Sequence, residues 1–437
     1  MRISIIGTGY VGLVSGACFS KLGLNVICVD NDVEKLNRLQ RNIIDIYEPG
    51  LEELVRRGID SGKLSFSDDL PNAVNKSDIV FISVGTQGKQ NGELDISQVL
   101  IASHEIAKAM SGYTLIVTKS TVPVGTGSEI ERIFKNIAGK KSFDIASNPE
   151  FLREGSAVYD FLNPERIVIG CKNDKVANLL KGLYQGINLG PVFRTNIETA
   201  ELIKFASNSF LATKITFINE MSILCESVGA DIRDLATALK FDKRIGDTYL
   251  SPGPGYGGSC LPKDTKALFE TAKNHDVQAP LINSVIQAND DRVIQLSRRV
   301  TNSFENPEGI RIGVLGTTFK ANTDDIRHSP SIYLIRRLIQ AGFKINTYDP
   351  KGNISTLKSL PEVQVCENAY KAAINCQAII IMTEWEDFRV LDFNKIGKLM
   401  CNKLIFDFRN LLDEKKLLKL GFAYKGVGFK TPERIKE

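Results

Sequence analysis

The chain has 437 residues, and at ~100–200 residues per domain that is room for two to four domains, each able to bury its own core. Its 55 Lys+Arg against 51 Asp+Glu leave a formal charge of +4 with 24% charged residues, an ordinary globular balance that excludes a dedicated basic nucleic-acid surface. The three histidines, His104, His275 and His328, all stand more than four residues from one another and from every cysteine, so zinc-site spacings are missing and the chemistry falls to Lys, Cys, Asp, Glu or Asn.

In chain order, Ile3 to Ile6 reads as a strand that runs straight into a glycine turn, which is why the N-terminus is expected to belong to the fold and not to a targeting segment. A helix follows from Leu13 to Leu22, then a strand from Asn25 to Val29 that ends in Asp30. Short apolar runs at Ile79 to Val84, Leu115 to Thr118, Phe143 to Ala146 and Ile167 to Ile169 alternate with amphipathic stretches, the pattern of a doubly wound parallel sheet. This predicts a first domain over 1–195.

From Asn196 to Phe241 and from Asp264 to Ser303 apolar residues recur at helical spacing, predicting a helical domain over 196–303 with one long helix. Between them, the run from Leu250 to Cys260 is too rich in Gly and Pro to be helix or strand. After Asn306-Pro307-Glu308-Gly309 the α/β logic repeats over 304–437: a strand Ile310 to Leu315, a helix Ser331 to Ala341, a strand Lys344 to Tyr348 ending in Asp349, and a strand Ala378 to Met382. The fold class is therefore α/β, with two Rossmann-like doubly wound domains joined by a helical centre. No apolar stretch approaches the ~18 residues of a membrane span. The eight cysteines contain no Cys-x-x-Cys pair, which predicts reduced thiols and a cytoplasmic protein.

Gly7-x-Gly9-x-x-Gly12 follows a strand, opens a helix and precedes Asp30. The three glycines allow a tight turn, close approach to a pyrophosphate and close helix–strand packing, with phosphate held at the helix N-terminus beside Tyr10 and Val11. Asp30 suits ribose hydroxyls and repels a 2′-phosphate, so the expected cofactor is NAD, although Lys35 nearby tempers the distinction from NADP. In Gly257-Gly258-Ser259-Cys260-Leu261-Pro262-Lys263-Asp264, the proline suits a first helical turn, placing Cys260 at a helix N-terminus close in sequence to Lys263. Both features favour a thiolate nucleophile. Lys204 and Asn208 share one helix face at i and i+4; they form either a solvated polar stripe or, given their apolar flanks, a buried ammonium and amide able to stabilise an alkoxide.

Asn148 to Gly155 follows a strand end, where open α/β sheets bind ligands, and Glu150, Arg153 and Glu154 there either cap a helix or face a substrate. The hydroxyls of Lys119-Ser120-Thr121, at a similar strand end, could order a water or the nicotinamide ribose. Gly313-x-x-Gly316, followed by Lys320 and Arg327, has lost the dinucleotide fingerprint and suggests a nucleotide site of another kind.

Together these segments resemble the UDP-glucose dehydrogenase family, within the nucleotide-sugar dehydrogenases: GTGYVG at 7–12, KSTVPVGT at 119–126, NPEFLREGSA at 148–157, the Lys204/Asn208 helix, RIGDTYLSPGPGYGGSCLPKD at 244–264, and Phe319-Lys320 with Thr323 to Arg327, Ser329 and Pro330. Gln87 departs from the proline usual after Thr86, which touches the rigidity of the cofactor loop. The resemblance implies oxidation of a nucleotide-sugar primary alcohol to a carboxylate by two hydride transfers to NAD. Cys260 would capture the aldehyde as a thiohemiacetal that is oxidised to a thioester and hydrolysed. Lys204 would stabilise oxyanions, with Asn208 supporting it and Asp264 placing a water; Thr121 and Glu154 would place water and cofactor. Thr86, Lys263 and Arg327 would lie near NAD. The sugar nucleotide would contact Glu150, Phe151, Leu152, Arg153, Glu154, Tyr249, Leu250, Ser251, Pro252, Gly253, Gly257 and Lys320. Arg244 would reach the neighbouring subunit's site in a homodimer built on the central helices. The alternatives are GDP-mannose or an N-acetylated UDP-hexosamine as substrate, a single-hydride hydroxyacid dehydrogenase, and a non-catalytic nucleotide sensor.

Overall fold

In the computed structural model, which describes residues 1–139, 141–187, 190–352, 357 and 360–430, Cα packing separates two compact units. The first comprises Met1–Ser207 with Lys266–Val277, the second Asn208–Thr265 with Gln278–Glu437.

The first unit is built on strands β1 (Arg2–Ile6), β2 (Asn25–Val29), β3 (Leu64–Ser67), β4 (Ile79–Ile82), a small antiparallel hairpin β5 (Gln87–Gly88) and β6 (Leu94–Asp95), then β7 (Thr114–Thr118), β8 (Phe143–Ser147), β9 (Ile167–Cys171) and β10 (Val192–Thr195). Eight of them form one sheet in the order β10-β9-β8-β7-β4-β1-β2-β3. Strand order reverses beside β1, which pairs with β2 on one side and β4 on the other, so the carboxyl end of β1 opens on a switch-point crevice. Ile79-Val80-Phe81-Ile82 is buried throughout, because helices cover both faces of a central parallel strand. One face is packed by a cluster that includes Phe19, Phe81, Phe161 and Tyr184, the other by Val99, Ile106, Ile130 and Phe134. Phe19 meets Phe161 edge-on at 5.0 Å, an arrangement ring quadrupoles favour.

The expected parallel winding holds through β8. There β9 pairs antiparallel, and β10 follows β9 in parallel. The segment between β8 and β9 carries only the short Ala157–Leu162 helix, and β9 enters the sheet beside β8 in the reversed direction.

The second unit carries a six-stranded parallel sheet of β11 (Arg311–Leu315), β12 (Lys344–Tyr348), β13 (Val363–Val365), β14 (Ala378–Ile381), β15 (Leu404–Asp407) and β16 (Ala423–Lys425), ordered β13-β12-β11-β14-β15-β16. Strands β3, β10, β13 and β16 and the hairpin strands β5 and β6, unpredicted above, are short or mixed in polarity; β15, also unpredicted, is fully buried and its Leu-Ile-Phe run does carry the apolar signal. Helices Ile232–Phe241 and Pro280–Thr301 belong to this unit, and the predicted long helix runs Ile197–Val228.

Gly170, within β9, shows how tightly that long helix is laid on the first sheet. A Cβ there would stand 2.6 Å from the Ala200 Cβ and 2.8 Å from the Asn196 carbonyl oxygen. Gly170→Ala should therefore lower stability by about 1–3 kcal/mol through overpacking, read by urea denaturation; an unchanged midpoint would show that the helix start is free to shift.

Candidate active site

The glycine turn after β1 has the geometry a dinucleotide diphosphate requires. Gly7 sits at φ +97°, and a Cβ at Gly12 would lie 1.9 Å from the Gly7 carbonyl oxygen, so neither position takes a side chain. At Gly9 a Cβ would meet nothing within 4 Å, and the Tyr10–Lys21 helix that Gly9 caps has no side-chain cap, which leaves its first N–H groups for an anion. Asp30 spends one oxygen on the turn itself, accepting from the Thr8 amide at 2.8 Å, the Thr8 hydroxyl at 2.5 Å and Lys35 at 3.2 Å. Its other oxygen accepts only a 3.2 Å bond from the Asp32 amide among these contacts, leaving capacity for a ribose hydroxyl. Burial would raise this carboxyl, but the Thr8 donors and Lys35 hold it below its ordinary value. These residues fit NAD.

Tyr10 donates to Glu48, and both accept from the Gly155 amide, at 3.1 and 2.7 Å. The helix after the glycine turn is thereby fastened to the Arg153–Ser156 loop. Burial and Glu48 push the Tyr10 phenol upward. Thr86 donates to the Thr121 carbonyl at 2.8 Å, joining the loops after β4 and β7. Glu154 is half-buried, and the exposed Arg153 pairs with Asp160 at 2.6 Å.

Beneath these loops lies a buried ionic cluster. Lys204, 3% exposed, donates to Glu150, 7% exposed, at 2.7 Å, so it belongs to the interior and not to a solvated stripe. Glu150 also accepts from the Leu152 amide at 2.6 Å; burial opposes its charge, but Lys204, that amide and Lys119 keep its pKa below the ordinary value. The Phe151 ring carries Arg166 4.0 Å and Lys204 5.6 Å from its centroid.

Lys119, at the end of β7, is a second buried lysine, one that its strand-end motif alone did not single out. Its ammonium reaches Asn148 Oδ1 and carbonyl oxygen at 3.3 and 3.4 Å, and burial, with Lys204 adding to it against the pull of Glu150, pushes it down to about 8. Glu201, one turn before Lys204, accepts from the Gly125 and Gly127 amides at 2.7 and 2.8 Å, holding the loop after Thr121; burial pushes it up to about 7 against those donors. Glu48 and Glu201 likewise gave no sequence signal, since each acts on backbone far away in the chain.

In the second unit, Cys260 immediately precedes the Leu261–Asn274 helix, and its carbonyl accepts from the Asp264 amide at 2.9 Å, the N-cap position expected. Its sulfur is 3.5 Å from the Ser259 hydroxyl oxygen and half-buried. Asp264, fully buried, accepts from Asn208 Nδ2 and from Lys263 Nζ, each at 2.6 Å. Asn208 thus fixes the carboxylate one turn beyond the thiol, and Lys263, expected near the cofactor, pairs with that same carboxylate. Of the loop before Cys260, Leu250, Gly253 and Gly257 are buried, Pro252 is half-buried, Ser251 is exposed, and Tyr249 takes φ +62°. Arg244 is exposed and forked onto Asp242 at 2.6 Å.

The glycine turn after β11 differs from the first. Both oxygens of Asp349 are occupied by backbone amides, Thr317 at 2.6 Å and Thr318 at 3.0 Å on one, Lys351 at 2.9 Å and Gly352 at 2.7 Å on the other, so this acid seals its own turn. That agrees with the lost fingerprint. Lys320 stands 5.7 Å from the Phe319 ring centroid, and Arg327 pairs with Asp325 at 2.8 Å. Arg409, absent from the sequence reading, donates to the Met382 and Phe319 carbonyls at 2.8 Å each and would lie 3.2 Å from a Cβ at Gly253. Among the described residues no cluster of His, Cys, Asp or Glu could hold a metal, and no helix is long and apolar enough to cross a membrane.

Residues 1–188, 198–291 and 313–414 match, respectively, the NAD binding, central and UDP binding domains of the UDP-glucose/GDP-mannose dehydrogenase family. A UDP-glucose 6-dehydrogenase of Rhizobium meliloti is 45% identical over 98% of this chain and 99% of its own, and one of Bacillus subtilis is 41% identical over 98% and 93%. The solved UDP-glucose dehydrogenase of Pyrobaculum islandicum is 33% identical and superposes with a TM-score of 0.90 over 98% of each chain.

The buried Lys119 has a consequence for stability. Its depressed pKa means that the destabilising charge is present in full below about pH 8 and fades as pH rises toward the value of an unfolded lysine. Denaturant titrations of wild type and Lys119→Met should therefore diverge in wild type's favour by about 1–3 kcal/mol between pH 8 and 10; a difference that is flat with pH would refute the assignment.

Proposed function

Because the chain belongs to the UDP-glucose/GDP-mannose dehydrogenase family, we propose that it oxidises UDP-glucose to UDP-glucuronate in two successive oxidations through a covalent adduct on Cys260. The observation that carries this reading is the placement of Cys260 at a helix N-cap, one turn before an Asp264 that Asn208 and Lys263 hold in place. NAD, when bound, supplies the hydride acceptor for both oxidations.

The chain's own residues do the rest. Backbone amides of the Gly9–Gly12 turn take the dinucleotide diphosphate, and the outer oxygen of Asp30 takes a ribose hydroxyl. Once the alcohol has become an aldehyde, the sulfur of Cys260 adds to its carbon and the thiol proton passes to a water on Asp264. Loss of hydride from the resulting thiohemiacetal leaves a thioester. Attack by water then breaks the C–S bond, releasing the carboxylate and restoring the thiol. The covalent handle is needed because a free aldehyde carries no suitable hydride until a nucleophile has added. Lys204, held by Glu150, is suited to stabilising the oxyanions that form. Thr121 and Glu154 place water and cofactor. Lys320 and the Tyr249–Gly257 loop engage the sugar nucleotide, and Arg327 lies near NAD.

A homodimer completes this reading. On the long helix Phe210, Phe217 and Leu224 recur every seven residues, 65, 45 and 51% exposed, an apolar stripe that a second copy of the same helix would cover. Arg244 would then extend toward the partner's substrate. The absence of disulfides among the eight cysteines supports a cytoplasmic setting.

Two NADH should form per UDP-glucose consumed, with UDP-glucuronate as the acid; one NADH per substrate would sink the thioester route. In Cys260→Ser, turnover should fall by about three orders of magnitude or more with folding intact, and full activity would exclude the sulfur as nucleophile. Sedimentation of Phe217→Glu should show monomers where wild type gives dimers; dimers in both would place the interface elsewhere.

A further inference from the structure

Gly253 to Gly258, the loop that leads to Cys260, is buried along its whole length although it forms neither helix nor strand. A glycine-rich segment has the most backbone freedom to lose, and its buried N–H and C=O groups all need partners. Two helices supply them. From the long helix, Asn219 Oδ1 accepts from the Gly253 amide at 2.8 Å. From Pro280–Thr301, Arg292 Nε donates to the Gly253 carbonyl at 3.0 Å, and one turn earlier Asn289 accepts from the Tyr256 amide at 2.8 Å and donates to its carbonyl at 3.2 Å. Arg292 Nη2 donates to Ser222 Oγ at 3.2 Å, one turn beyond Asn219, so the guanidinium also ties the two helices together. On the far side, the Gly258 amide donates to the Arg327 carbonyl at 3.0 Å, and a Cβ at Gly257 would stand 2.5 Å from the His328 carbonyl oxygen.

Arg292 is 4% exposed, and burial pushes its guanidinium down to about 10. A buried arginine whose hydrogen-bond partners are a carbonyl and a hydroxyl, with Glu226 as its attracting charge, is an expensive way to pack two helices, which apolar side chains do at lower cost. What the charge achieves is a fixed position for a loop that would otherwise sample many.

The geometry points to Asn289 and Arg292 as positioning residues: by holding the Gly253 carbonyl and both the amide and the carbonyl of Tyr256, they set the register of the substrate loop and the approach of Cys260 to its substrate. They touch neither substrate nor cofactor and act through the loop. The inference rests on the proposed reading that this loop faces the sugar nucleotide.

The experiment compares Arg292→Met, Asn289→Leu and Arg292→Lys in the full chain. With Arg292→Met and Asn289→Leu the KM for UDP-glucose should rise about tenfold or more while the KM for NAD, whose glycine turn lies in the other unit, stays within about twofold; Arg292→Lys, which keeps a single donor, should recover most of the loss. Iodoacetamide labelling of Cys260, mapped by mass, needs no substrate and should accelerate several-fold in the two disrupting variants. If wild type fails to oxidise UDP-glucose, the proposed function falls and the labelling rates alone decide this inference. Unchanged UDP-glucose KM with unchanged labelling in both disrupting variants overturns it, as does an equal rise in both KM values that parallels a loss of thermal stability. Should Arg292→Met not fold, Asn289→Leu gives the same readings.

Discussion

An ammonium and a carboxylate, each less than a tenth exposed, meet at 2.7 Å where Lys204 faces Glu150. Two such charges repay their desolvation only if the geometry is good and the remaining lone pairs are filled, and losing one partner of such a pair typically costs about 3–5 kcal/mol. Much of the first unit is organised around that condition. The ends of β7 and β8 bring Lys119, Asn148 and Glu150 to the start of the long helix, the Leu152 amide fills the second oxygen of Glu150, and Arg166 and Lys204 both approach the Phe151 ring. Asn148 is itself anchored, accepting from Tyr184 at 2.6 Å and donating to the Val168 carbonyl at 2.9 Å. Lys119 sits in this cluster at a cost, since burial and Lys204 oppose its charge and Glu150 favours it.

The two glycine turns show how one local motif is put to two uses. After β1, the acid at the end of the next strand keeps an oxygen for a ligand; after β11, the corresponding Asp349 gives both oxygens to its own loop. Backbone amides that close on an internal carboxylate are no longer available to a dinucleotide, which fits the lost glycine fingerprint of the second unit. A modest net charge is compatible with two diphosphate ligands because a helix N-terminus and a few placed cations suffice.

The central strands, the long helix and the turn at Gly7 to Gly12 were legible because each depends on residues within a few positions of one another. The same holds for Cys260 at its helix N-cap, announced by Pro262 and the glycines before it. Strand β9 was legible as a strand, but its reversed direction was not, since no residue within a strand records which way its neighbour runs. Asp30 stands out in the sequence by its place at the end of the second strand, yet the half of it spent on Thr8 was invisible, as was the pairing of Asn208 with Asp264 across 56 positions of sequence.

The sequence by itself determined the α/β class, the family, the cofactor and the place of Cys260 at a helix start, because glycine conformations, helix caps and alternating apolar runs are properties of short segments. Tertiary structure alone decided which charges are buried and who neutralises them: Lys119 beside Glu150 and Lys204, Glu201 on the loop after Thr121, Glu48 under Tyr10, and Arg292 with Asn289 under the glycine loop. Burial and pairing are set by which distant segments the sheets and helices bring together, and no local pattern records that.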